Sequence, residues 1–180
     1  MTARTKHETT PQAGPAHAAA PSAESSAAAS GATPGLERLL LATDLSEASS
    51  AATEEAFLLA GRVGASLLVV SVIDPGSLLL PGGRFRARVD QVREHREVAA
   101  QALVERGREH GVAVSFLVWT GDPGDMIVSA AEAERADMIV VGSHGRGAVG
   151  RLFLGSVSEH VVRNAPCPVL VVRPRDVPAG

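Results

Sequence analysis

Apolar residues fall along this chain in short runs separated by longer stretches of mixed character. Leu39, Leu40, Leu41 and Ala42 form a continuous apolar run between Arg38 and Thr43, which reads as a strand covered on both faces. From Ser46 to Val63 the pattern changes. Ala48, Ala52, Ala56, Leu59 and Val63 recur at three-to-four spacing, the apolar stripe of a helix, and Gly64 is placed to end it. Leu67 to Ile73 predicts a second strand, closed by Asp74-Pro75-Gly76. A charged helix follows over Arg86 to His110, with Val89, Val92, Ala99 and Leu103 on one face. Ala113 to Val118 predicts a third strand. Gly121-Asp122-Pro123 then turns the chain into a helix over Pro123 to Arg135, with Asp122 as its N-cap. Met138 to Val141 is a fourth strand and Val157 to Arg163 a fourth helix. Val169 to Val172 is a fifth strand, entered through Pro166 and Pro168. Strand and helix alternate throughout, so a parallel sheet with helices on both faces is expected. Ligands of such sheets bind beyond the carboxyl ends of the strands, where the strand order reverses.

Two stretches stand outside this alternation. Residues 1–35 consist mainly of Ala, Pro, Ser, Thr and Gly, and Pro11, Pro15, Pro21 and Pro34 interrupt any helix. With almost no large apolar residue they cannot offset their ordering entropy, so a disordered tail is expected. Residues 36–175 then form one globular domain, and 176–180 a flexible C-terminus. Between residues 75 and 84, two Pro-Gly turns flank Leu78-Leu79-Leu80. These leucines either pack over the sheet or serve as a lid or partner contact.

Composition narrows the class. The 180 residues are 45% hydrophobic and 21% charged, with a net charge of -3. That balance disfavours a nucleic-acid surface, which wants a basic patch. The one cysteine, Cys167, excludes an intramolecular disulfide framework, fits a reducing compartment and is expected to be a buried small hydrophobe. No apolar run approaches the roughly 18 residues that span a membrane, and no signal-peptide core is present. A cytoplasmic protein is expected. His95 and His110 lie among arginines and glutamates, so a solvated helix face is expected there and not a metal site.

The stretch with chemistry runs from Gly142 to Val157: Gly-Ser-His-Gly-Arg-Gly-Ala-Val-Gly-Arg-Leu-Phe-Leu-Gly-Ser-Val. Strand, glycine-rich loop and helix start, in that order, present backbone N–H groups to an anion. Gly142 and Gly145 permit a tight turn and close approach. Gly155-Ser156 opens the next helix with N–H donors, a hydroxyl and the positive end of a dipole. The loop therefore reads as a phosphate cradle. It is not a P-loop, which ends in Gly-Lys-Ser/Thr, since the chain's one lysine is Lys6. Gly145 to Gly150 fits the dinucleotide fingerprint by letter, but follows the fourth strand instead of the first. A turn requirement alone would explain one or two of these glycines, less readily the long spacing that ends in Gly-Ser.

The spacing Gly142-x2-Gly145-x9-Gly155-Ser156 has two companions, Leu41-Ala42-Thr43-Asp44-Leu45-Ser46 and Asn164-Ala165-Pro166-Cys167-Pro168-Val169. Together they resemble the universal stress protein family, and more closely its ATP-binding branch, over about residues 36 to 174. The resemblance implies an α/β fold: a single doubly wound five-stranded parallel sheet, Rossmann-like, in the order 3-2-1-4-5. Strands one and four are then neighbours, and Asp44 faces the glycine loop across the crevice. It further implies ATP as ligand, with Mg²⁺ held mostly by the phosphates. Asp44 would serve the nucleoside end, Val72 would offer its backbone to adenine, and Ala42 would line the same pocket. Gly142, Gly145, Gly155, Ser156 and Val157 would hold ribose and phosphates, with Ser143, His144 and Arg146 nearby. His144 has no carboxylate partner evident in sequence, so contact with ribose or solvent is expected of it and not base catalysis. No protein metal ligand and no catalytic residue is assigned, because neither a nucleophile nor paired carboxylates stand beside the loop. The function implied is that of an ATP-binding regulatory stress-response protein, a homodimer joined through the edge strand Val169–Val172. Alternatives are a slow ATPase or nucleotidyl-transfer enzyme using the same crevice, and a nucleotide-independent interaction module.

Overall fold

In a computed structural model, the described residues are 35–78, 85–143 and 154–173. The apolar runs become strands β1 (Arg38–Ala42), β2 (Ser66–Ile73), β3 (Val114–Thr120), β4 (Met138–Gly142) and β5 (Val169–Val172). The periodic segments become helices α1 (Ser50–Val63), α2 (Phe85–His110), α3 (Pro123–Ala133) and α4 (Ser156–Asn164). All strands pair in parallel, in the order β3-β2-β1-β4-β5. This is the expected doubly wound sheet, with β1 and β4 adjacent.

Registers explain why the strands read as unbroken apolar runs. Leu39 sits between Leu67 and Met138, Leu40 between Leu68 and Ile139, and Leu41 between Val69 and Val140. Alternate residues feed two cores. Leu40, Ala42, Val70, Val72 and Val141 face Ile127 and Ala130 of α3 and Val161 of α4. Leu39, Leu41, Leu67 and Val69 face Ala52, Ala56, Phe57 and Ala60 of α1. A strand buried on both faces cannot alternate with polar residues. At the sheet's other end, Asp137 Oδ2 accepts the N–H groups of Glu37 and Arg38, both at 2.8 Å, and so ties the start of β1 to the start of β4.

Several expectations shift in detail. A single 3-10 turn, Glu47–Ser49, precedes α1. The buried side of α1 is Ala52, Thr53, Ala56, Phe57 and Ala60. Ala48 is exposed and Val63 is 44% exposed. The stripe through Ala48, Ala52, Ala56, Leu59 and Val63 omits Phe57, the bulkiest side chain of the buried face. Gly64 ends α1 at φ 72, the left-handed region that suits glycine. Asp122 caps α3 as expected, accepting from Asp125 N at 3.1 Å. In α2 the buried positions are Arg96, Ala100 and Gly107, while Val89, Val92, Ala99 and Leu103 are half-buried. His95 and His110 are exposed. Arg106 forks onto Glu54 of α1, with contacts of 2.7 and 2.6 Å, and stacks 4.5 Å from the Phe57 ring. That hydrogen bond holds the Glu54 carboxyl below the usual carboxylate range and raises the guanidinium. Cys167 is half-buried, not fully buried, beside the α3–α4 core; desolvation, then Asp137, pushes its thiol up. Among the described residues, no helix is long and apolar enough to cross a membrane.

Candidate functional site

After Ala42 the chain leaves toward α1 on one face of the sheet, and after Gly142 it leaves toward α4 on the other. Adjacent strands that part in this way open a crevice at their carboxyl ends. A cavity of about 510 Å³ lies there, within the size range of small-molecule sites. Its floor is Ala42, Val70, Val72 and Val141, and its walls come from Pro123 and Ile127 of α3 and Val157 and Ser158 of α4. Asp44, Thr43 and Ser49 line the β1 side; Asp74, Ser77 and Leu78 line the rim beyond β2. Leu78 is half-buried over the cavity. Leu79 and Leu80 lie outside the described residues.

The acidic side chain at the end of β1 is held in place by its own turn. Asp44 Oδ1 accepts from Ser46 N at 3.1 Å and from Ser46 Oγ at 2.6 Å. Leu45 takes φ 59, rare for a branched apolar residue, and its N–H donates to Thr43 Oγ1 at 3.0 Å. Thr43 Oγ1 donates to Ser49 Oγ at 2.8 Å, and Ser49 Oγ donates to Ser46 O at 2.8 Å. Chained hydroxyls of this kind fix the carboxylate's direction before any ligand arrives. They also account for the late start of α1, since Ser46 and Ser49 are committed to the turn.

Across the crevice, the two ends of the glycine loop are pinned together. Ser143 N donates to Val172 O at 2.7 Å, Gly155 N donates to Ser143 O at 2.9 Å, and Ser158 Oγ donates to Gly142 O at 2.6 Å. Gly155 is the N-cap of α4, with no side-chain cap of its own. The N-terminus of α4 therefore stands beside the end of β4, where its dipole favours an anion.

Of the residues singled out from sequence, Ala42, Asp44, Val72, Gly142 and Val157 line the cavity together. Gly155 and Ser156 stand at the start of α4 without lining it, and Ser156 is exposed. Ser143 is 1% exposed; it holds the loop's base instead of lining the cavity. His144, Gly145 and Arg146 lie outside the described residues.

Sequence reading missed one charged residue in particular. Arg96 reaches the cavity from α2, only 9% exposed, with Nη1 donating to Ser71 Oγ at 3.1 Å and to Val72 O at 2.5 Å. A signal existed: Arg96 falls between Val92 and Ala99 on the apolar stripe, where a solvated arginine does not belong. In sequence Asp74 marks only a turn; in the fold it lines the cavity, with Oδ1 accepting from Gly76 N at 2.8 Å. Among the described residues, no cluster of three His, Cys, Asp or Glu could hold a metal. An apolar floor, a fixed carboxylate and a helix N-terminus on the opposite side suit a ligand with a flat apolar part and an anionic end.

Comparison with known proteins gives a consistent picture. The family described as the universal stress protein family matches residues 35–173. A universal stress protein of Thermus aquaticus is 42% identical over 136 residues, which cover 75% of this chain and 97% of the relative. Among solved structures, universal stress protein UspA from Lactobacillus plantarum aligns with a TM-score of 0.66 at 26% identity, covering 78% of this chain and 100% of that one. A universal stress protein in complex with cAMP aligns with a TM-score of 0.54 at 25% identity, covering 78% and 98%.

Proposed function

Because the chain belongs to the universal stress protein family, we propose that it binds ATP in this cleft and acts in stress response through nucleotide-dependent conformation or contacts. The observation that carries the proposal is one cavity lined by Ala42, Val72 and Val141, by the Asp44 carboxylate, and by Gly142 and Val157 beside the α4 N-terminus. The base rests on the apolar floor near Val72. Asp44 accepts hydrogen bonds from ribose hydroxyls, since a carboxylate repels phosphate. The phosphates run toward Gly142, Gly145, Gly155, Ser156 and Val157, with Ser143, His144 and Arg146 nearby. Mg²⁺ is held mainly by the phosphates. The relative solved with cAMP lends support for an adenine nucleotide.

Titration calorimetry tests this reading. Wild-type protein should bind ATP, and Asp44→Ala should weaken it by about tenfold or more, the worth of a hydrogen bond to a charged group. No binding of ATP, ADP or AMP to wild type would overturn the proposal. Hydrolysis should be slow, because a cradle that binds ground and transition states alike does not raise a chemical rate. Phosphate release near the enzymatic median of about 10 per second would favour the ATPase alternative.

Assembly belongs to the same reading. β5 is an edge strand with half-buried apolar side chains, a form that invites pairing. A second copy pairing through Val169–Val172 makes a two-fold contact. Light scattering should then give a dimer mass at micromolar concentration, and a monomer mass would refute the contact.

A further inference from the structure

The base end of the cleft carries more charge than an adenine pocket requires. β2 lies on the far side of β1 from β4, so Val72, Arg96 and Asp74 line the β2 end of the cavity, away from β4 and the α4 N-terminus. If the phosphates lie at α4, this is where the edge of a base arrives. Adenine presents there an exocyclic amine, a donor, beside an acceptor ring nitrogen. The Val72 carbonyl that such an amine would use already accepts from Arg96 Nη1 at 2.5 Å. A guanidinium stays charged at every physiological pH, and in a half-enclosed cavity its field is only partly screened. An amine meets it unfavourably and a keto oxygen favourably. Asp74 adds the complementary sign at the same end: the residue lines the cavity just beyond Ile73, with Oδ1 accepting from Gly76 N. A cationic group and an anionic acceptor at one end of the cavity match a base whose edge is a keto oxygen next to a ring N–H. That is the edge of guanine and hypoxanthine, and arginine's match to guanine O6 is a common one in base recognition.

We propose that Arg96 and Asp74 open the cleft to purine nucleotides with a keto oxygen at position 6, guanosine and inosine triphosphates, alongside ATP. This rests on the nucleotide reading above and adds a ligand class to it. Arg96 is the specificity-determining residue, reaching the end of β2 from α2 with Ser71 Oγ and the Val72 carbonyl fixing its head.

Calorimetric titration of the full chain with ATP, GTP and ITP tests it. In wild type, GTP and ITP should bind within about tenfold of ATP, since hydrogen bonds to charged groups on the keto edge offset those lost from the amine. Arg96→Met should move the GTP-to-ATP affinity ratio toward ATP by about tenfold or more. Asp74→Ala, on the half-exposed turn, should move the ratio the same way and serves if Arg96→Met does not fold. Wild type that binds ATP but holds GTP and ITP more than a hundredfold more weakly overturns this proposal alone. So do folded variants with an unchanged ratio. Wild type that binds none of the three overturns the nucleotide reading, and this one with it.

Discussion

An Ala42→Leu variant is expected to fold and to lose roughly a hundredfold in ATP affinity, about 2.7 kcal/mol. Ala42 is the last residue of β1, 5% exposed, in register with Val70 on one side and Val141 on the other. Its methyl group forms part of the cavity floor. Both lateral directions are filled by valines, so three added carbons have only the cavity to enter. Overpacking a closed core costs about 1–3 kcal/mol because the added atoms displace neighbours. Here they enter an open space of about 510 Å³, so stability should change little. On the proposed nucleotide reading, the ligand instead loses the surface on which its base would lie. Calorimetry reads the affinity and a thermal melt confirms the fold. Unchanged ATP affinity in a normally melting Ala42→Leu protein would remove the base from this floor.

Gly107→Val should cost about 3 kcal/mol of unfolding free energy, at the upper end of typical overpacking penalties. Gly107 lies in the last turn of α2, where the chain doubles back into β3 and Val112 N donates to Gly107 O at 2.9 Å. A Cβ there would overlap Val114 Cγ2 and come within 2.6 Å of the Val112 carbonyl oxygen. The side chain could rotate away, but the carbonyl belongs to the turn and cannot. Valine also branches at Cβ, which adds bulk where none fits. Urea denaturation should show a lower midpoint with an unchanged slope. A midpoint equal to wild type would mean that α2 need not pack this closely on the turn.

The sheet was legible because its inner strands are buried on both faces and its edge strand β5, though half-buried, is apolar throughout. Leu39 to Ala42 and Val169 to Val172 could be read with nearly correct bounds, since no polar residue interrupts the run. Strand order was a different matter: alternation implies a parallel sheet but not which strands are neighbours. The pairing of β1 with β4 came from the motif resemblance. Helix faces were less legible. In α1 the alanines at 52 and 56 face the core, but the stripe's Ala48 and Val63 do not, and Phe57 lies outside it. In the cleft, residues with a backbone signature were found, Asp44 after a strand and Gly142 before a loop. Arg96 was not found. Its place on the apolar stripe of α2 hints at burial, but the carbonyl and hydroxyl acceptors that permit it come from β2, some 25 residues away, so the local pattern does not say where the guanidinium goes. The motif resemblance implies Ser143 near the ligand, but says nothing of its backbone partners. Its N–H meets the Val172 carbonyl and its own carbonyl meets Gly155 N, contacts that depend on β5 and α4.

The pairing at the centre of the sheet also orders events in time. β1 finds β2 soon after both are made, but the Asp137 carboxylate that ties down Arg38 is 99 residues further along the chain. Loop closure over such a span is a kinetic burden on folding. On the ribosome, β1 and β2 and then β3 can associate while one side of β1 still lacks its neighbour. The cleft needs Gly142 and Val157, so it is completed only when most of the chain has emerged. A ligand of this cleft would therefore hold the finished domain together, but would not speed its first half into shape.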